Sequence, residues 1–284
     1  TVAGPNACPD ESATVTVSVQ AEPDAGEDSS LTVCSSDPAI DLFTILGGTP
    51  DTGGTWSPAL PSGTGVFDPS TDNAGVYTYT VAPTAPCTNS DSATITITVE
   101  QAPDAGNDAS VVICENDPSV DLFTILGGTP DVGGVWTPAL NSGTGVFDPA
   151  QDAEGTYTYT LPATSICPED TATVNVTIET PPFAGDDGNI ALCSNDNTID
   201  LFTLLGNNPD NGGTWSPALT SGTGVFDPSI DPQGTYTYTV AGAAVCADDT
   251  AEVFVQVEQA PFAGNDASEL LCADSAAVDL FSLL

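Results

Sequence analysis

The chain contains no Lys, Arg, His or Met, against 40 Asp and Glu in 284 residues, giving a formal charge of −40. With no cationic side chains it cannot neutralise phosphate, which excludes nucleic acid as a partner and direct insertion at anionic membrane surfaces. Without His or Lys there is no Ser-His-Asp, Cys-His or Schiff-base arrangement to assemble. Paired carboxylates can cleave glycosides, but acids are so frequent here that the proximity of two says little. The expectation is a protein that is not an enzyme and carries no cofactor. Long apolar runs are also missing, so no segment approaches a membrane span. The amino-terminal residues do not follow the signal-peptide pattern, and targeting or anchoring segments are expected outside this chain.

The residues present are 40% apolar, enough to pay for ordering a chain whose charge alone suggests disorder. The charge then reads as a solvated surface. Trp occurs three times, at 56, 136 and 215, always in one setting. Gly53-Gly54-Thr55-Trp56-Ser57-Pro58 is followed by Gly63-Thr64-Gly65-Val66-Phe67-Asp68-Pro69, and the stretch returns at Gly133–Pro149 and Gly212–Pro228. A repeat of about 80 residues makes this a tandem array. One large aromatic per copy reads as a core anchor, so Trp56, Trp136 and Trp215 are assigned that role.

Within a copy the apolar period is two. Ile95, Ile97 and Val99 alternate with Thr, as do Tyr77, Tyr79 and Val81. This is the pattern of antiparallel strands with one buried face. Turn signals such as Gly47-Gly48-Thr49-Pro50-Asp51 and Asp68-Pro69 separate the strands. The reading is all-β: a tandem array of immunoglobulin-like β-sandwich domains forming a semi-rigid rod. Residues 1–21 form the C-terminal part of one repeat, 22–101, 102–180 and 181–259 are whole repeats, and 260–284 are the N-terminal part of another. In immunoglobulin lettering the strands are A at 30–34, B at 39–46, C at 54–60, E at 64–68, F at 76–82 and G at 92–100. Segment 41–46 also fits a helical turn over 42–46 capped by Asp41; the strand is preferred. Junctions are short and carry Pro103, Pro182 or Pro261. They imply stiff spacing, with ~35–45 Å of rise per unit from strand geometry. Such a chain reads as a window on a longer polymer.

Eight cysteines stand at 8, 34, 87, 114, 167, 193, 246 and 272, in phase with the repeat. An even count in fixed phase points to disulfides and an oxidising compartment; zinc would call for a CxxC pair or His. Two pairings remain open. One is within a unit: Cys34–Cys87, Cys114–Cys167 and Cys193–Cys246. The other joins successive units: Cys34–Cys167 and Cys114–Cys246, with Cys8, Cys87, Cys193 and Cys272 bonded to further units. The assumed strand order favours the second. It puts Cys34 and Cys87 at opposite poles, and a disulfide needs its Cα atoms within ~7 Å.

Units with a Cys before strand B, a Gly-Gly-Thr-Trp strand, Ala74-Gly75-Val76-Tyr77-Thr78-Tyr79-Thr80, and Cys87 before Ser92-Ala93-Thr94-Ile95-Thr96-Ile97-Thr98-Val99 resemble the Ig/PKD-like repeats of giant bacterial surface proteins. They are most similar to the gliding-motility adhesins and filaments exported by type IX secretion. The resemblance covers the whole chain and implies a stalk or filament segment on the outer cell surface. Its partners would be neighbouring repeats and lateral filament contacts, with the external surface or glycan unspecified. It also makes Asp-Ser/Thr-Ala a candidate O-glycosylation motif, at Ser92, Thr171 and Thr250, with Ser275 outside that phase. A Ser or Thr after Asp also simply caps turns. The junction acids Asp24, Asp28, Asp104, Asp108, Asp186, Asp187 and Asp266 are candidate weak calcium ligands, weighed against plain surface charge. The alternative function is a binding module that contacts glycans or another cell through exposed loops such as Thr49-Pro50-Asp51.

Overall fold

The computed structural model describes the chain apart from residues 3, 7, 8, 10, 221 and 284. In the first copy, alternation of Leu31 and Val33, of Tyr77, Tyr79 and Val81, and of Ala93, Ile95 and Ile97 produces strands with one buried face. The strands are β1 (Ser29–Cys34), β2 (Ile40–Asp41), β3 (Thr55–Ser57), β4 (Val66–Phe67), β5 (Gly75–Val81) and β6 (Asp91–Glu100). One sheet has the order β1-β6-β5-β3, and β2 pairs with β4 in a second. β5 runs antiparallel to both β6 and β3, whereas β1 runs parallel to β6 with Leu31 opposite Ile97 and Cys34 opposite Glu100. The third-fifth-sixth sheet facing a second-fourth pair is the immunoglobulin-like arrangement, with the first strand added at the edge.

The same order returns as β7 (Ala109–Cys114), β8 (Val120–Asp121), β9 (Val135–Thr137), β10 (Val146–Phe147), β11 (Gly155–Leu161) and β12 (Asp170–Glu179). It returns again as β13 (Gly188–Cys193), β14 (Ile199–Asp200), β15 (Thr214–Ser216), β16 (Val225–Phe226), β17 (Gly234–Val240) and β18 (Asp249–Glu258). β7 is parallel to β12 and β13 to β18, in the register of β1 and β6. By packing the chain forms two compact units. The first holds Thr1–Asp108, Leu126–Ala139 and Thr158–Thr173; the second holds Ala109–Ile125, Leu140–Tyr157 and Val174–Leu284.

In the first unit Leu42, Phe67 and Ile95 are fully buried with Tyr77 and Tyr79 around them; in the second Leu201, Phe226, Tyr236 and Val253 take these places. The Tyr77 hydroxyl donates to the Asn73 carbonyl at 2.8 Å, and that of Tyr236 to Pro232 at 2.7 Å. A tyrosine near the start of the fifth strand bonded back to its own approach is an immunoglobulin-like feature. Tyr79 uses its hydroxyl twice, donating to the Asp51 carbonyl at 2.9 Å and accepting from the Gly54 amide at 2.8 Å. The loop lies so close that a Cβ on Gly54 would stand 2.5 Å from the Tyr79 ring, so only glycine fits there.

Two sequence expectations change. Strand B does not run through 39–46: it stops at Asp41, and Leu42–Thr44 forms a 3-10 turn. The Asp41 carboxylate accepts from the Phe43 amide at 3.0 Å, and Thr44 Oγ1 donates to the Asp41 carbonyl at 2.7 Å. These local bonds outcompete a sheet ladder for the same backbone groups. Strand C is shorter than 54–60, because Pro58 has no N–H to extend the ladder beyond Ser57.

The copies also differ at one buried carboxylate. Asp231 accepts from the amides of Thr220 and Asp227 at 2.7 and 2.8 Å, and Asp152 likewise from Asn141 and Asp148 at 2.7 and 2.9 Å. In the first copy Asp72 receives only the Asp68 amide, at 2.8 Å. The residue in the place of Thr220 is Pro61, which has no N–H, and Asp72 Oδ1 is buried without a partner. We expect Pro61→Thr to stabilise the first copy. A restored donor relieves a penalty of ~1–3 kcal/mol, against ~0.4–1 kcal/mol lost with proline's stiffening of the unfolded chain. Thermal denaturation should show a raised midpoint, and an unchanged or lower one refutes the account.

Candidate functional site

β1 ends at Cys34, whose amide donates to Asp37 Oδ2 at 2.9 Å while the Asp37 amide returns to the Cys34 carbonyl at 3.0 Å. This turn fixes the cysteine beside Glu100 at the end of β6. The Ser35 amide adds a bond to the Glu100 carbonyl at 2.8 Å, and the Ala102 amide donates to Ser35 Oγ at 2.9 Å. Cys167 comes from the loop between β11 and β12, held by its amide to Thr164 Oγ1 at 3.0 Å and by the Thr164 amide to its carbonyl at 3.0 Å. Its sulfur lies 3.5 Å from the Glu100 carbonyl oxygen. There the two cysteines form a disulfide, Cys34–Cys167, with Cα atoms 5.1 Å apart and 133 residues between them in sequence. The hydroxyls of Thr164 and then Ser165 hold the Glu100 carboxyl below its ordinary range.

The second unit repeats the construction. The Cys114 amide donates to Asp117 Oδ2 at 3.0 Å, Cys114 lies opposite Glu179, and the Cys246 sulfur is 3.5 Å from the Glu179 carbonyl. Cys114–Cys246 spans 132 residues, again with Cα atoms 5.1 Å apart. All four bonded cysteines are buried, so a soluble reductant reaches them only after local opening. Cys114 lies between Cys34 and Cys167 in sequence, so the two covalent loops interlock: every backbone bond between Cys34 and Cys246 is bypassed by a disulfide. Cys87, Cys193 and Cys272 are free thiols, and Cys8 lies outside the described residues.

The other candidates are placed as follows. Trp56 packs on Tyr79 with ring centroids 5.0 Å apart, and Trp215 on Tyr238 at 5.1 Å. Like Trp136, which meets Tyr159 at 5.1 Å, they are only half-buried. Phe67, Phe147 and Phe226 are the aromatics that disappear completely, because the short third strand leaves its Trp at the core's edge. Trp56, Tyr79, Phe43, Asp41 and the glycines around Gly54 and Gly65 line an open groove of about 520 Å³. Trp215, Tyr238, Phe202 and Asp200 line its counterpart in the second unit.

Ser92, Thr171 and Thr250 are exposed second residues of β6, β12 and β18 rather than loop residues. The Asp before each has a structural role: Asp91, Asp170 and Asp249 accept from the amides of Ala25, Ala105 and Ala184, each at 2.7 Å. Ser275 Oγ accepts from the Cys272 amide at 3.1 Å. The junction acids likewise bind backbone. Asp24 and Asp104 accept from Gly26 and Gly106, and Asp28, Asp108 and Asp187 from Thr94, Thr173 and Glu252. The Thr94 amide, then its hydroxyl, hold the Asp28 carboxyl below its ordinary value. Asp186 accepts from the Asn207 side chain at 2.5 Å, and Asp266 is exposed. Among the described residues no three His, Cys, Asp or Glu converge on a metal position, and no helix is long and apolar enough to cross a membrane.

Sequence periodicity missed the paired carbonyl and carboxylate anchors, Glu100 with Asp37 and Glu179 with Asp117, that fix the bonded cysteines. The one available signal was the Cys-Xaa-Xaa-Asp spacing after each strand.

Neither the protein-family models nor the curated proteins include a match to this chain. Solved structures of tandem immunoglobulin domains are similar at low identity. A titin I-band fragment shares 14% identity, covering 84% of this chain and 100% of that one with a TM-score of 0.37. Sidekick-1 immunoglobulin domains 1–4 share 12%, covering 84% and 76% with a TM-score of 0.33. The N-terminal eight Ig domains of Down Syndrome Cell Adhesion Molecule share 11%, covering 82% and 36% with a TM-score of 0.45.

Proposed function

We propose that this chain is a non-catalytic stalk segment of a secreted surface adhesin, of the bacterial type its repeats resemble, which carries tension through interlocked disulfides. The observation behind the reading is the overlap of Cys34–Cys167 with Cys114–Cys246. A pull on the two ends finds two covalent routes between Cys34 and Cys246. One crosses the first disulfide and follows the backbone from Cys167; the other follows the backbone to Cys114 and crosses the second. Either route contains about 80 residues, and about 130 are withheld from extension. Burial of both bonds and an oxidising exterior suit such a role.

Single-molecule pulling of the intact chain tests it. With the disulfides closed, full extension should fall short of that of the reduced chain by ~430–470 Å, from ~3.3–3.6 Å per withheld residue. Equal extensions in both states would remove the proposal. A second reading, a glycan-binding module, draws on the groove lined by Trp56, Tyr79 and Asp41 and its counterpart at Trp215: an aromatic face beside a carboxylate suits a sugar ring. Proline-edged loops such as Thr49-Pro50-Asp51 would flank it.

A further inference from the structure

A chain with 40 Asp and Glu and no Lys or Arg cannot bind a second copy of itself through ion pairs. Two copies repel wherever their acids face each other, so contact between them needs a surface without acids. The first repeat has one. Residues of β1, β6, β5 and β3 alternate between core and solvent. From Ser92 to Thr98 of β6, and at the positions beside them on the other three strands, every outward residue is Ser, Thr or Val. Ser30, Thr96 and Val76 stand side by side across the sheet, with Thr94, Thr78 and Ser57 in the next row. Val76 is 53% exposed. Asp28 and Glu100 lie at the margin of this face. Among the described residues, Thr94 is the one hydroxyl of the face bonded within the chain, to Asp28 at 2.9 Å. The others are open to a partner. The fold does not demand this composition: in the third repeat Glu252 and Phe254 take the places of Thr94 and Thr96.

We propose that this face is a lateral docking surface whose occupant is the same face of a second copy of the chain. Each hydroxyl is both donor and acceptor, so a threonine array can satisfy its own image across a two-fold axis. The threonine methyls and Val76 supply the apolar centre, with the two sheets ~10 Å apart. Four strands ~4.8 Å apart and about seven residues long make a patch of ~400 Å². A stable complex buries ~800 Å² on each partner, so a single contact is weak and reversible. Stalks lying side by side would multiply it, because each further contact between the same two chains forms at high effective concentration. The strand β12 carries Thr171, Thr173, Asn175 and Thr177 at the same alternating positions. The proposal rests on the stalk reading and gives that stalk a partner. The −40 charge opposes the approach of two copies, so pairing should strengthen with salt.

Sedimentation equilibrium of the 284-residue chain tests this, with its disulfides intact and its thiols capped by a neutral alkylating agent. Chain concentration is raised to about 1 mM, the upper end of the affinity scale, in low salt and in about 1 M sodium chloride, where the screening length is ~3 Å. The expected result is a single chain of 28.6 kDa in low salt and a reversible rise toward twice that mass in high salt. Thr96→Glu sets an acid at the middle of the face and should weaken the association at least tenfold. Asn89→Glu adds the same charge to the exposed loop between β5 and β6 and should leave it unchanged. Equal melting midpoints of the two variants exclude misfolding as the cause. A chain that stays single at high salt overturns the proposal, as does association that survives Thr96→Glu or is lost equally in Asn89→Glu. A single chain that co-sediments with insoluble cellulose, and loses this with Thr96→Glu, also overturns self-pairing and gives the face to a neutral glycan. Single-molecule extension is measured on one chain at a time, so a short extension without association overturns the docking surface alone and leaves the stalk reading standing.

Discussion

Replacing Cys34 and Cys167 together by serine should destabilise the first unit by up to ~5 kcal/mol. This is the chain-entropy value for a closed loop of this length, given the 133-residue separation. Serine at both positions avoids leaving an unpaired thiol, and the surrounding anchors at Asp37, Ser35 and Thr164 stay in place. The loss should appear as a lower denaturation midpoint, together with faster hydrogen exchange in β1 and the end of β6. If Cys34→Ser/Cys167→Ser unfolds with the wild type, the bond does not contribute as proposed. The interlock adds a sharper consequence. A single backbone cut anywhere between Cys34 and Cys246 should leave one molecule of full size until reductant is added, because one disulfide route always remains. In the double serine variant, a cut between Cys34 and Cys114 should separate the ends at once. Denaturing electrophoresis without reductant distinguishes the two. For a surface stalk this means that one protease cut does not release what it carries.

Asp231→Ala should be nearly as damaging in the second unit. The carboxylate is buried and gathers the amides of Thr220 and Asp227, tying the approach to β16 to the turn after it. Alanine leaves two inward amides without an acceptor, at ~1–3 kcal/mol each. A loss of ~2–5 kcal/mol is therefore expected, localised by hydrogen exchange to β16 and β17. The pH dependence follows from the same geometry. Burial pushes the Asp231 carboxyl up, but the amides of Asp227 and Thr220 and the Thr220 hydroxyl together outweigh it and hold the group below its ordinary value. A carboxyl lowered in the folded state contributes stability above its unfolded value, near 3.9. That contribution disappears as pH falls through the lower folded value. Asp231→Asn should flatten this part of the acid limb below about pH 4. An acid limb unchanged by Asp231→Asn would place the sensitivity elsewhere.

The sequence by itself determined the repeat, the strand-forming segments with one buried face, and the absence of the His and Lys that Ser-His-Asp, Cys-His and Schiff-base arrangements need. Each rests on local pattern: alternation at Tyr77 and Ile95, glycine and proline punctuation, and a composition with no cation. It did not decide segment 41–46, where Leu42, Phe43, Ile45 and Leu46 suit either period; the Asp41 side chain, reaching the Phe43 amide, selects the turn. It assigned the tryptophans to the core but not their depth there: Trp56 packs half-buried against the core cluster, and Phe67 is the aromatic that is buried completely. The cysteine spacing admits two pairings, since both respect the repeat. Only the parallel seating of β1 against β6 brings Cys34 to the Glu100 carbonyl, where the loop carrying Cys167 also arrives. A disulfide joins residues by proximity, and proximity between residues 133 apart in sequence is set by strand order and direction, which alternation of apolar residues does not encode.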